Sequence, residues 1–265
     1  MKKIMLITLF LCLLASVANA YDFEKNGLLY RITDYQKRTV EVTHWDELTG
    51  TNGVPDHHRP DPCLAHMHDS THHHDEHCVV EYVPTIPNFL DTIVIPAKVR
   101  YKGRSYKVTA VGDGSFFKRE NIRLVRLPKT ITRIGRSAFS GCNNLCAVEW
   151  QATLDTIEAY AFYMDSSLDS VVLPDSLKHL DVYAFALCLG LKEVIMPAGL
   201  TAFEGNAFLH CNRLKHILLK QQSPPMVKNT GIKMNFGAIT FEIQEEALPA
   251  YQKDKFWRKQ QFSVP

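Results

Sequence analysis

The sequence predicts an α/β repeat solenoid: five 23-residue units stack their strands into a parallel sheet, between an N-terminal β-cap and a C-terminal strand-helix cap. Three observations carry this reading. Val111, Ile134, Ile157, Leu180 and Phe203 lie 23 residues apart, as do Phe116, Phe139, Phe162, Phe185 and Phe208. A small residue precedes each phenylalanine: Ser115, Ala138, Ala161, Ala184 and Ala207. Six residues on come Ile122, Leu145, Leu168, Leu191 and Leu214, and three further come Val125, Val148, Val171, Val194 and Ile217. A fixed period of this length marks units that cannot bury their apolar faces alone and must stack.

In chain order, residues 1–20 read as a signal peptide. Lys2-Lys3 is a basic start, Ile4 to Val17 an apolar run, and Ala18-Asn19-Ala20 a small-x-small cleavage signal before Tyr21. The run is too short to span a bilayer comfortably, so no membrane span is expected. Cleavage after Ala20 removes Lys2 and Lys3 and takes the formal net charge from +2 to zero. A neutral chain with interspersed charges offers no electrostatic case for nucleic acid.

Residues 21–110 read as the N-terminal β-cap, interrupted by an insertion at 44–82. Tyr21 to Thr43 alternates like strands around Asn26-Gly27 and Asp34-Tyr35, and Val99-Arg100-Tyr101 and Tyr106-Lys107-Val108 flank a hairpin signal at Gly103. Residues 111–225 hold the repeats. In Leu168-x-x-Val171-x-Leu173-Pro174 the first, fourth and sixth positions point inward, while Ser170 and Val172 point out. Pro128, Pro174 and Pro197 end their strands by withholding a donor. The Ile-Gly-x-x-Ala-Phe segment then turns the chain back along the opposite wall. Residues 226–265 form the C-terminal cap: a strand at Ile239 to Ile243, a helix from Glu245 to Phe256, and Trp257 over the last repeat.

The run from Ile134 through Gly135, Ala138-Phe139, Gly141-Cys142-Asn143-Asn144 to Leu145 closely resembles the repeat of BspA-like leucine-rich-repeat proteins. The resemblance is strong over 107–220. Some copies depart from it: Arg119 and Asp165 replace the cysteine, and Trp150-Gln151 and Leu219-Lys220 replace the Leu-Pro. It implies an exported or surface-displayed protein that binds other macromolecules, a protein or extracellular-matrix partner. No Ser-His-Asp order, nucleophile elbow or phosphate loop stands out, so no enzyme is expected.

Two places could carry binding. The outward strand positions form the concave face of the array: Leu124 and Arg126, Ala147 and Glu149, Ser170 and Val172, Glu193 and Ile195, His216 and Leu218. Leu124, Val172, Ile195 and Leu218 are apolar where solvation favours polar residues, and an apolar patch rimmed by charge reads as an interaction site. The plainer account is that aliphatic residues simply suit strands.

The second place is the insertion, where His57, His58, His66, His68, His72, His73, His74 and His77 crowd into 21 residues with Cys63 and Cys78 around the densest part. Imidazole and thiolate are zinc, copper and nickel ligands, so His66, His68, His73, His74, His77, Cys63 and Cys78 are the candidate metal set, zinc foremost. The alternative is a solvated loop with loose uptake. Cys63 and Cys78 could equally close a 16-residue disulfide loop in an oxidising compartment. His73-His74-Asp75-Glu76-His77 fits the His-x-x-Glu-His of inverted zinc proteases. It is discounted, because chance matches are common in so His-rich a tract and no third ligand is evident. Cys142, Cys188 and Cys211 share one repeat position and form an inward column of small buried residues, with Cys146 out of register.

Overall fold

The computed structural model describes residues 21–43, 91–150, 153–228 and 239–264. The signal peptide (1–20) and the His-rich insertion (44–82), with its candidate metal ligands and the Cys63/Cys78 pair, lie outside the described residues.

The fold is a parallel β-solenoid of about six turns. The chain enters through β1 (Phe23–Lys25), β2 (Leu28–Asp34) and β3 (Thr39–Thr43), then β4 (Thr92–Val94), β5 (Lys98–Tyr101) and β6 (Arg104–Val111). The β1–β2 and β5–β6 hairpins each turn on two left-handed residues, Asn26-Gly27 and Lys102-Gly103, as the twist of a two-residue hairpin demands. From there each coil contributes a front and a back strand. The front strands are β7 (Leu124–Arg126), β9 (Ala147–Glu149), β11 (Ser170–Val172), β13 (Glu193–Met196), β15 (His216–Leu219) and β17 (Thr240–Ile243). The back strands are β8 (Arg133–Ile134), β10 (Thr156–Ile157), β12 (His179–Leu180), β14 (Ala202–Glu204) and β16 (Met226–Lys228). The chain ends in a short helix α1 (Leu248–Lys253) and β18 (Gln261–Ser263), which extends the front sheet beside β17.

The back ladder has no counterpart in the sequence reading, because a two-residue strand leaves no alternation to see. Its register is nonetheless strict: Ile134, Ile157, Leu180 and Phe203 lie side by side. The last back strand, β16, breaks the 23-residue phase, pairing Phe203 with Val227, which is why spacing alone yields five copies. Gly135 follows this column because no Cβ fits: it would lie 2.3 Å from Asp113 Oδ1.

The third wall is built of turns rather than helix. Ser137, Gly141, Tyr160, Met164, Tyr183 and Leu187 all have positive φ, so each of these coils places two left-handed residues four apart, and an α-helix cannot propagate through them. The turns are stitched instead to the next coil, through Phe116 N–H to the Ala138 carbonyl, Phe139 to Ala161, Phe162 to Ala184 and Phe185 to Ala207, at 2.7–2.8 Å. Every backbone donor so paired is one that a tight coil could not satisfy internally.

Inside, Phe116, Phe139, Phe162, Phe185 and Phe208 form a continuous stack, with centroids 4.9–5.6 Å apart and planes within 12°. The alanines before them are fully buried and give the rings room. At the C-terminal end Trp257 is buried, packs edge-on to Phe241 and Tyr251, and donates its indole N–H to the Pro225 carbonyl at 2.7 Å. With Phe241, Tyr251 and Phe262 it forms an aromatic cluster at the C-terminal end of the array.

Candidate functional site

The outward residues of the front strands form one surface, but register divides them. Val172, Ile195 and Leu218 are consecutive rungs of one ladder, with Val172 exposed at 53% and the other two half-buried. Beside them Glu193 and His216, both exposed, face each other across β13 and β15. Leu124, half-buried, and the Arg126–Glu149 pair, in contact at 2.7 Å, sit on a separate three-stranded sheet formed by β4, β7 and β9. The rim is a mosaic of surface ion pairs, Lys192–Asp169 at 3.5 Å and Lys220–Asp175 at 3.2 Å. The apolar row is therefore three residues long and framed by compensated charge. Such a surface recognises a partner through shape and apolar contact more than through net charge.

A crevice of about 550 Å³ opens on this face between β9 and β11. Val148, Trp150, Val172, Pro174 and Phe185 line it, with Cys146, Glu149, Asp175 and Lys220 around them. Sequence periodicity did not single it out. The signal was Trp150 standing where the repeat has leucine.

The inward cysteine column is chemically quiet. Cys142, Cys188 and Cys211 are buried free thiols, each giving its S–H to a phenylalanine carbonyl of the preceding coil, Phe116, Phe162 and Phe185, at 3.0–3.1 Å. Burial pushes the Cys142 and Cys188 thiols well above their ordinary range, so neither is a nucleophile at neutral pH. Cys146 is the exposed thiol among the described cysteines, out of the column and on the front face. Among the described residues no group of three or more His, Cys, Asp or Glu side chains is placed to hold a metal ion. Nor is any described helix long and apolar enough to cross a membrane.

This geometry, one short front strand per coil with inward leucines and valines, defines a leucine-rich-repeat solenoid. More narrowly, residues 104–223 match the family described as the BspA type leucine rich repeat region, in six copies, so the repeat array is of the BspA type. Two solved structures share the fold. A leucine-rich-repeat protein from T. pallidum superposes with a TM-score of 0.57 at 18% identity, over 84% of this chain and 81% of that one. The pneumococcal vaccine antigen PcpA gives 0.51 at 20% identity, over 69% of this chain and 43% of that one. No curated protein matches the sequence.

Proposed function

We propose that this chain is an exported, non-enzymatic repeat protein that binds a protein or extracellular-matrix macromolecule through the front face of its solenoid. The observation that carries the reading is the apolar row Val172, Ile195 and Leu218, held in register on a rigid ladder and left open. Export rests on the Lys2-Lys3 start, the apolar run and the Ala18-Asn19-Ala20 signal, together with the family's frequent occurrence at cell surfaces.

The test is a Val172→Glu, Ile195→Glu double variant, offered with the wild type to immobilised extracellular-matrix proteins. Both substitutions point outward, so the array folds, and binding is lost. A folded double variant that binds as well as the wild type removes the front face from the account.

A second reading is favoured by composition: the eight histidines between His57 and His77 would capture zinc or a related ion, with the solenoid as carrier. Calorimetry on the mature chain, beside a variant lacking residues 56–78, separates the two. A stoichiometric, sub-micromolar event lost in the variant supports a built site, and weak multi-site uptake marks a solvated tract.

A further inference from the structure

The front ladder breaks once among the described residues. Parallel pairing runs β4-β7-β9 and resumes as β11-β13-β15-β17-β18, while the back ladder passes the same level unbroken from β8 through β10 to β12. The cause lies at the position where the other coils bury Leu127, Leu173, Met196 and Leu219. Here it is Trp150, half-buried, its ring edge-on to Phe162 at 6.1 Å. An indole does not fit a slot shaped for a leucine, and packed interiors do not deform smoothly to admit one.

The hydrogen bonds record the substitution. In the coil before, the Leu127 amide donates to the Glu149 carbonyl at 2.8 Å, and in the coil after, the Leu173 amide donates to the Ile195 carbonyl at 3.0 Å. The equivalent acceptor at the seam is the Val172 carbonyl, and it takes the Trp150 indole Nε1–H. The side chain thus stands in for its own main-chain amide. Val148 is left half-buried where Val125, Val171 and Val194 are buried, and the crevice opens above it.

We propose that this seam is a hinge: the β4–β9 and β11–β18 parts of the front sheet rock about the continuous back ladder, closing and opening the crevice. Closure frees the Val172 carbonyl from the indole and gives it to the Trp150 amide. At the Val172 carbonyl the exchange trades one donor for another, which narrows the hydrogen-bond difference between the two arrangements and favours both being populated. The curvature of the front face is then adjustable at one place, between the Arg126–Glu149 pair and the apolar row.

The experiment is NMR on the mature protein. Relaxation dispersion on the microsecond to millisecond scale is expected at the amides of Val148, Trp150 and Val172, and not at Leu173 or Ile195. Trp150 and Val172 should also exchange with solvent at least about tenfold faster than Leu173 and Ile195. Trp150→Leu restores the repeat's own residue, and there the dispersion vanishes and the two amides slow to match their equivalents. Trp150→Phe keeps the bulk, so its amides stay fast. Flat dispersion in the wild type overturns the proposal, as does a Trp150→Leu protein, with the back-ladder amide of Ile157 still protected, in which the seam amides remain fast.

Discussion

Asp165 stands in the column that holds Cys142, Cys188 and Cys211, with Arg119 at its first position, and it is fully buried. Its Oδ1 accepts the Cys142 amide at 2.8 Å, but Oδ2 has no partner. Burial raises its pKa well above the ordinary carboxylate value, against the pull of the Cys142 and Gly141 amides. A carboxyl that holds its proton more tightly folded than unfolded costs stability as pH climbs. The unfolded chain ionises first, so the loss begins near the unfolded value and grows until pH passes the folded one. Asp165→Asn keeps the Cys142 bond and cannot ionise. Its melting temperature should equal the wild type's near pH 4. By pH 8 it should lead by about 1–3 kcal/mol, at roughly 2–4 °C per kcal/mol for a chain of this size. A difference independent of pH would remove the carboxyl from the explanation. The departure from cysteine was plain in the sequence. Its unpaired oxygen was not, because hydrogen-bond satisfaction depends on the coils to either side.

The strands of the N-terminal cap pair with the array through β4–β7 and β6–β8, and one side chain adds an ionic tie across the join. Arg133, on β8, reaches Glu41 of β3 at 2.8 Å, and Asp113 and Glu158 at 3.1 Å each. Burial holds the Glu41 carboxyl above its usual value even with Arg133 and Arg31 beside it, so the ion it carries is one the fold must compensate. Exposed pairs contribute little. Glu41 is mostly buried, and Arg133→Ala leaves it with only Arg31 at 3.6 Å. Urea denaturation should show a loss of about 1–3 kcal/mol, most of it recovered when Glu41→Gln is added. A loss no larger than an exposed pair gives would make the cluster ornamental. The cap's hairpins were legible because Asn26-Gly27 and Gly103 advertise left-handed turns. The front strands were legible because three inward residues repeat at fixed offsets. The back ladder and the parted front sheet were not. A two-residue strand shows no period, and a tryptophan reads as a loosened motif until its indole is placed against a neighbouring strand. The predicted concave face likewise needed the register to show which of its apolar residues are neighbours: Val172, Ile195 and Leu218 are, and Leu124 is not.

Taken whole, the molecule is close to a one-dimensional stack: backbone pairing and ring stacking join adjacent coils, only side-chain ion pairs such as Lys220–Asp175 and Arg133–Glu41 reach one coil further among the described residues, and stability is to first order a sum of coil and interface terms. The phenylalanine column shows what that implies. Phe162 lies between two rings, 5.2 Å from Phe139 and 4.9 Å from Phe185, whereas Phe116 has one ring neighbour, Phe139 at 5.1 Å. Both are buried, so the loss from simple transfer is alike. What differs is the number of interfaces each truncation weakens. Phe162→Ala opens a void that two coils share, beside the level where the front sheet is already unpaired, and should cost about 3–5 kcal/mol. Phe116→Ala should cost less, because only one of its faces meets another phenylalanine ring. The unfolding curve should separate them further. A weakened middle divides the stack into two halves that unfold at different urea concentrations, lowering the apparent slope. A weakened end shortens the array and keeps a single transition. Equal costs with equal slopes would mean that the solenoid behaves as one indivisible core, and the nearest-neighbour description would have to be abandoned.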